Sequence, residues 1–168
     1  EHWISGDPKL HVVVAVDESA TSDAAIDWVR DLREKSPCDV TFVHFYWPPE
    51  QQYRLGLRSH VEPSESDVQV AVDLRRHLTR KIGQLPGEGK SSFIVKPTWS
   101  RLGDAISDVA SEVGADMIVA GTHQWRGLDK VRHESVSREI LRAVRLPVVC
   151  IPGRLALPLE RRPLPFFR

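Results

Sequence analysis

Apolar residues along the chain alternate between short continuous runs and the spacing of helices. Residues 11–16 form a nearly continuous β-branched run, which is typical of a strand buried on both faces. After it, Ala25, Trp28, Val29 and Leu32 recur at positions i, i+3, i+4 and i+7 and predict an amphipathic helix. Further strands are predicted at residues 40–47, 92–96, 117–120 and 148–151. Further helices are predicted from apolar stripes at Ala71, Leu74, Leu78, Ile82 and Leu85, at Ile106, Val109, Ala110 and Val113, and at Val136, Ile140 and Val144.

Proline and glycine mark where these elements end. Residues 48–66 are polar and contain three prolines, so this stretch is predicted to be an irregular loop. Residues 86–89 read Pro-Gly-Glu-Gly and are predicted to stop the second helix. Gly114 is predicted to end the third helix in the usual C-terminal position for glycine. Cys38, which follows a proline, is predicted to lie in a turn.

Strands that alternate with helices predict right-handed crossovers and a parallel sheet covered on both sides, which is an α/β fold. We assign this domain to residues 1–152. Residues 153–168 break the pattern with Pro158, Pro163 and Pro165 and are predicted to form an extended C-terminal tail. Alternatively, the apolar side chains of this tail dock on a partner subunit or a neighbouring domain. They are Leu155, Leu157, Leu159, Phe166 and Phe167.

The overall composition is that of an ordinary globular domain. The chain has 168 residues, 41% of them apolar and 27% charged, which suffices for one domain with a buried core. Lysine plus arginine and aspartate plus glutamate both number 23, which argues against nonspecific binding to nucleic acid or to a membrane surface. No apolar run approaches the ~20 residues of a membrane span and no signal peptide is recognised, so a cytoplasmic protein is expected. The chain opens on Glu1 rather than Met, which suggests a trimmed chain or a piece of a longer protein.

Sequence motifs for metal binding or catalysis are absent. Cys38 and Cys150 are the only cysteines and have no neighbours at metal-ligand spacing, so two free thiols are predicted. The seven histidines form neither His-x3-His nor His-Glu-x2-His. Gly-x-Ser-x-Gly and Walker A motifs do not occur. His44, in the second predicted strand, is expected to lie in the core or at the strand end, and Trp28 and Trp47 are expected to be core residues.

The most suggestive polar residues follow the first and fourth predicted strands. In an open parallel sheet, ligands bind beyond the carboxyl ends of the strands where the strand order reverses. Asp17 and Ser19 follow the first strand, and a loop from Gly121 to Gly127 follows the fourth. That loop leads to residues 135–137, which open the last helix. A glycine-containing loop that feeds a helix N-terminus is in principle an anion site, because free backbone N–H groups and the helix dipole point at it.

These residues carry a resemblance to the universal stress protein family. Residues 11–19, which end in Asp-x-Ser, resemble the opening strand of that family. Residues 114–121 read Gly-Ala-Asp-Met-Ile-Val-Ala-Gly and resemble the family's Gly-Ala-Asp-Leu-Ile-Val-Met-Gly. Residues 135–137 and 147–149 resemble its closing helix and strand, so the match runs from about residue 10 to 151. The resemblance implies a Rossmann-like three-layer sandwich with a five-stranded parallel sheet in the order 3-2-1-4-5.

The resemblance also implies an adenine-nucleotide site in the crevice beside strands one and four. The residues it assigns to that site are Ala15, Val16, Asp17, Phe45, Ala120, Gly121, His123, Gly127, Ser135, Val136 and Ser137. An alternative interpretation of Asp17 is that it caps the turn that follows its strand.

The phosphate-binding loop departs from the family's nucleotide-binding pattern. That pattern is Gly-x2-Gly-x9-Gly-Ser/Thr, whereas this chain has Gln124 and Glu134 at the second and third glycine positions. Gln124 adds a side chain where backbone must approach phosphate, and Glu134 adds a carboxylate at the helix N-terminus. Residues 121–124 also resemble the Gly-His-His-Gln of the branch that does not hold ATP. Basic residues that could offset Glu134 are Arg126, Lys130 and Arg132. The cofactor is therefore predicted to be absent, or to be ATP or AMP held weakly.

Three functions remain open from the sequence. The first is a stress-adaptation or regulatory module that acts through binding rather than turnover, with unknown protein partners, and that forms a homodimer through the edge strand 148–151. In the family this strand typically pairs with its copy, although the tail could instead fold over the edge and leave a monomer. The second is an ATP-binding or slowly ATP-hydrolysing protein that uses Asp17, Gly121, Ser135 and Ser137. The third is a sensory domain of a larger transporter or kinase.

Overall fold

The computed structural model describes residues 9–17, 19–47, 63–122 and 136–153, with the side chains of 63–67 excepted. Strands and helices alternate along these residues, as the apolar pattern predicts. The strands are β1 (Leu10–Ala15), β2 (Cys38–Tyr46), β3 (Ser91–Pro97), β4 (Met117–Thr122) and β5 (Val148–Pro152). The helices are α1 (Ala20–Lys35), α2 (Pro63–Ile82), α3 (Leu102–Glu112) and α4 (Val136–Ala143).

The described strands form one five-stranded sheet in the order β3-β2-β1-β4-β5, and every pair is parallel. This confirms the α/β fold class and the strand order. Val12 of β1 lies opposite Val40 of β2 on one side and Met117 of β4 on the other, so β1 is the central strand. The chain moves from β1 towards β3 and then returns to β4, so the strand order reverses between β1 and β4. All the strand carboxyl ends consequently lie on one edge of the sheet, with this reversal at its middle.

A hydrophobic core lies on each face of the sheet. On one face, Val12, Val14 and Phe42 pack with the apolar stripes of α1 and α2. On the other face, Val13 and Val43 pack with α3 and α4. Val12, Val13 and Val14 have no exposed surface, which confirms that β1 is buried on both faces.

Both predicted boundaries of the second helix are wrong, because the helix begins and ends earlier in the sequence than predicted. The predicted loop 48–66 overlaps α2, which begins at Pro63. Proline is tolerated in the first turn of a helix, where its missing N–H would have no partner within the helix. The same helix ends at Ile82 rather than at residues 86–89, because Gly83 takes a left-handed φ of 64°. Leu85 is therefore outside the helix, although it is buried against the core.

Two further expectations are wrong at the ends of β2. Cys38 is the first residue of the strand and fully buried, not part of a turn, and its N–H donates to the Glu88 carbonyl at 3.2 Å. Trp47 follows the last residue of β2 and is 54% exposed, so it is not a core residue. The predicted end of α3 is confirmed, since Gly114 has a φ of 64° directly after the C-cap Val113.

The edge of the sheet at the strand amino ends is held by a buried arginine. Arg33, near the end of α1, is 5% exposed and donates hydrogen bonds to Ser91 Oγ at 2.7 Å and to the Lys90 carbonyl at 3.4 Å. It also donates to the carbonyl of Gly89. One side chain thus ties α1 to the turn that enters β3.

Among the residues that the structure describes, none of the helices combines the length and the apolar character that a membrane span requires.

Candidate functional site

A cavity of about 100 Å³ opens at the carboxyl edge of the sheet, where the strand order reverses between β1 and β4. Its walls come from the ends of β1, β2 and β4, the first turn of α1, and the starts of α3 and α4. The described residues that line it are Ala15, Val16, Asp17, Thr21, Ser22, Val43, Phe45, Leu102, Ile106, Ala120, Gly121 and Val136. A mostly apolar concavity with a few convergent polar groups, at the switch point of a parallel sheet, is the usual form of a ligand site.

Most of the residues assigned to the site from the sequence line this cavity. They are Ala15, Val16, Asp17, Phe45, Ala120, Gly121 and Val136. Ser137 is buried in the first turn of α4 but does not line the cavity. His123, Gly127 and Ser135 lie outside the described residues, as do Gln124 and Glu134. The role of these residues in binding a nucleotide stays a prediction.

Asp17 is occupied by the turn that leads from β1 into α1. Its Oδ1 accepts hydrogen bonds from the Ser19 N–H at 2.8 Å, from the Ser22 hydroxyl at 2.6 Å and from the Ser19 hydroxyl. The Asp17 N–H donates in turn to Ser22 Oγ at 2.7 Å. Ser19 is the N-cap of α1, and its Oγ accepts from the Ser22 N–H at 3.4 Å. These contacts support the interpretation that Asp17 caps this turn, while its position still places it in the cavity wall.

Two residues that sequence reasoning did not assign to the site hold this turn from outside. Lys81, at the end of α2, lies 2.8 Å from Asp23 Oδ1 and donates to the Asp17 carbonyl at 3.4 Å. His44 is buried in β2, and its Nδ1 lies 2.8 Å from the Val16 carbonyl. A carbonyl oxygen can only accept, so Nδ1 carries the proton in this contact. Both contacts join segments far apart in sequence, which is why the local pattern around Asp17 does not reveal them.

Gly121 is required by the packing of α1 against the end of β4. A methyl group at this position would meet the backbone carbonyl of Thr21 in the first turn of α1. A methyl group on Gly153, just after β5, would likewise lie 2.7 Å from Thr21 Cγ2. The two glycines therefore allow α1 to sit close to the ends of β4 and β5. The structure gives Gly121 a packing role that the sequence resemblance did not indicate.

The wall formed by α3 and α4 is held by a contact between the two helices. Leu102 and Val136 are the first residues of these helices, and both line the cavity. The N–H of Gly103 donates to Glu139 Oε2 at 3.3 Å, so a carboxylate from α4 caps the start of α3. Sequence reasoning missed Leu102 and Ile106 as lining residues. A signal was available for Leu102, since the first residue of a helix that follows a strand of a parallel sheet lies at the edge where ligands bind.

The described lining is nearly uncharged. Asp17 is its one ionisable side chain, Thr21 and Ser22 add hydroxyl groups, and the other lining residues in the described segments are apolar or glycine. The backbone N–H groups of Ser19 and Ser22, at the start of α1, are already bound by Asp17 and Ser19. The described part of the wall therefore suits an apolar group better than an anion. Within the described segments, no group of three or more His, Cys, Asp or Glu side chains is placed to hold a metal ion.

Comparison with known proteins identifies a family for this arrangement. The sequence model of the universal stress protein family matches residues 10–152. Comparison with curated proteins finds no match. The family match covers every described strand and helix, including all the described lining residues of the cavity.

Solved structures resemble the chain over most of its length. The hypothetical protein MJ0577 shares 16% identity at a TM-score of 0.61, over 88% of this chain and 98% of its own. A universal stress protein from Archaeoglobus fulgidus shares 23% identity at a TM-score of 0.51, over 90% and 99%. A universal stress protein solved in complex with cAMP shares 18% identity at a TM-score of 0.54, over 86% and 98%. At these identities the likeness establishes the fold alone.

Proposed function

We propose that this chain, which belongs to the universal stress protein family, is a regulatory or stress-adaptation module that acts through binding and self-association rather than turnover. Its ligand site is the cavity between the ends of β1 and β4, in a form that holds ATP or AMP weakly or not at all. The observation that carries this proposal is the charge of the wall. Among the described lining residues, Asp17 is the one charged side chain, and none of them is lysine or arginine.

A triphosphate needs cations or free backbone N–H groups, and the described wall provides little of either. At the start of α1 the Ser19 N–H is bound by Asp17 and the Ser22 N–H by the N-cap Ser19, so these two N–H groups are already engaged. In the sequence, Gln124 and Glu134 replace two glycines of the family's phosphate loop. A carboxylate within about 4 Å of a phosphate oxygen costs about 1–4 kcal/mol, depending on solvent access. The similarity of residues 121–124 to the branch without ATP supports the same conclusion.

Self-association is proposed through β5. This strand is the last in the described sheet order and pairs with β4 along one side. Cys150, at its centre, is exposed, and Leu141 of the neighbouring helix α4 is 55% exposed. An apolar sheet edge exposes unpaired backbone groups, and pairing with a second copy around a two-fold axis satisfies them.

The test of the ligand proposal is calorimetric titration of the full chain with ATP and with AMP. The wild type is compared with Glu134→Gly and with Glu88→Gly, a control that removes an exposed carboxylate at the opposite edge of the sheet. We expect weak or undetectable binding by the wild type and by the control, and a gain of affinity in Glu134→Gly. Micromolar ATP binding by the wild type would contradict the degenerate site.

A nucleotide-responsive protein is the second candidate function. It is favoured by the structural neighbour that was solved in complex with cAMP, and by three basic residues in the loop after β4. These residues are Arg126, Lys130 and Arg132. The same titration separates the two candidates, because a nucleotide-responsive protein binds ATP or AMP tightly without any substitution.

A further inference from the structure

Two tryptophans form an exposed pair at the carboxyl edge of the sheet, outside the cavity. Trp47 directly follows β2 and Trp99 lies just after β3, and they are 54% and 73% exposed. Their ring centroids are 6.5 Å apart with an interplanar angle of 80°, an edge-to-face contact. The strand register brings them together, since Tyr46 lies opposite Pro97 and the Thr98 N–H donates to the Tyr46 carbonyl at 3.0 Å.

Exposure of the apolar surface of two such rings to water is unfavourable in free energy. A tryptophan side chain buries a large apolar area when it is covered, and tryptophan is enriched where proteins bind other chains. The connection from β3 to α3 is also held in place, because the Ser100 N–H donates to Thr98 Oγ1 at 3.2 Å. The two rings therefore present an exposed aromatic surface at this edge. We call Trp47 and Trp99 the tryptophan pair.

The C-terminal residues begin on the same edge of the sheet. The Gly153 N–H donates to the Thr122 carbonyl at 3.3 Å, so the chain leaves β5 at the strand carboxyl ends. At about 4.8 Å between neighbouring strands, β2 is about 14 Å and β3 about 19 Å from β5 across the sheet. The 15 residues 154–168 span about 46 Å in a polyproline II conformation, at about 3.1 Å per residue. The length of these residues therefore exceeds the distance by more than a factor of two.

The sequence of these residues matches the chemistry of the tryptophan pair. Residues 161–167 read Arg-Arg-Pro-Leu-Pro-Phe-Phe. Segments with closely spaced prolines adopt the extended polyproline II conformation and dock on surfaces lined by aromatic side chains. Arginine beside the prolines can stack on a tryptophan face through a cation–π contact.

We infer that the tryptophan pair is a docking site for the proline-rich residues 154–168 of the same chain. A chain that runs from β5 to β2 along this edge passes the ends of β4 and β1, where the cavity opens. This inference stands on the tryptophan pair and the chain path, and it does not depend on which ligand the cavity takes.

The test is limited proteolysis of the full chain by trypsin, with mass spectrometry of the fragment 162–168. Trypsin cuts poorly before proline, so the bond after Arg161, not the Arg162–Pro163 bond, reports access to the tail. When closing is faster than cutting, the cleavage rate follows the fraction of undocked tail. We expect Trp99→Ala to raise the rate about tenfold, and Phe166→Ser with Phe167→Ser to raise it similarly without touching the domain. The control is Val68→Ala, at an apolar position on α2 that is 65% exposed.

Equal cleavage rates in the wild type, Trp99→Ala and the tail variant would overturn the inference. A rise in Val68→Ala equal to that in Trp99→Ala would also overturn it, because the effect would then reflect general loosening of the domain. The rates are measured at two protein concentrations that differ twentyfold. Protection that is independent of concentration supports docking within one chain. Protection that increases with concentration assigns the docked segment to a second copy and contradicts the proposal in its present form.

Discussion

Replacing Arg33 tests how much one buried side chain contributes to the amino-terminal edge of the sheet. Its guanidinium donates three hydrogen bonds, to Ser91 Oγ and to the carbonyls of Lys90 and Gly89, and only 5% of the residue is exposed. A hydrogen bond to a charged group contributes about 1.5–3 kcal/mol, but the three bonds share one desolvated cation and do not add. We expect Arg33→Ala to lower the free energy of unfolding by about 3 kcal/mol. At a urea m-value of about 2 kcal/mol/M, the midpoint falls by about 1.5 M.

The assay is urea unfolding followed by circular dichroism, with the m-value compared across variants. Arg76→Ala is the matched control, since Arg76 also lies in a helix but its side chain is 59% exposed and pairs with Asp73 at the surface. The control should change stability by less than about 0.5 kcal/mol. Arg33→Lys keeps the charge but cannot reach all three acceptors, so it should fall between the wild type and Arg33→Ala. If Arg33→Ala and Arg76→Ala have the same midpoint, the reasoning about Arg33 is refuted.

Further predictions concern helix packing, the thiols and the sheet edge. Gly121→Ala should lower the free energy of unfolding by about 1–3 kcal/mol in nucleotide-free buffer, because the added methyl group meets the Thr21 carbonyl; an unchanged urea midpoint would exclude the packing role. Ellman's reagent should react with buried Cys38 only after unfolding, so rapid modification of Cys38 in the native protein would contradict the fold at β2. Burial raises the pKa of the Cys38 thiol above the value of about 8.5 for a free cysteine. The stabilising contribution of the buried thiol is therefore complete below about pH 8.5 and is lost as the pH rises through the folded pKa. Urea midpoints measured from pH 7 to 10 should show this loss of stability in the wild type and not in Cys38→Ala. Light scattering should give twice the 19.0 kDa chain mass, and a single-chain mass in Cys150→Arg; a single-chain mass for the wild type would disprove the dimer.

The order and type of the elements follow from local sequence because each is written in a periodic pattern. The run around Val12 to Val14 can only be satisfied by burial on both faces, and the structure places it at the centre of the sheet. Boundaries were harder, because Pro63 and Gly83 each permit two local interpretations. Proline breaks a helix interior but opens a helix well, and glycine ends a helix wherever packing stops it. The strand order itself came from the family resemblance and not from the apolar pattern.

The candidate site was predictable only where its residues sit at strand ends. Asp17 and Gly121 could be named because a parallel sheet gathers its ligand residues at that edge. The contacts that hold this turn could not be predicted, because they join residues far apart in sequence. The Lys81 hydrogen bond to Asp17 joins residues 64 positions apart, and the His44 contact to Val16 joins residues 28 positions apart. Trp47 was misjudged for the same reason, because whether a strand-end tryptophan is covered depends on tertiary neighbours.

Thr21 connects the cavity to the edge strand β5 and to the residue at which the chain leaves it. It lines the cavity, packs against Gly121 at the end of β4, and touches Gly153 where the chain leaves β5. A ligand that displaces Thr21 therefore perturbs the edge strand and the start of the C-terminal residues at the same time. Thermodynamic linkage makes such an influence reciprocal. Whatever factor a ligand applies to the association constant of two chains, association must apply the same factor to the affinity for that ligand.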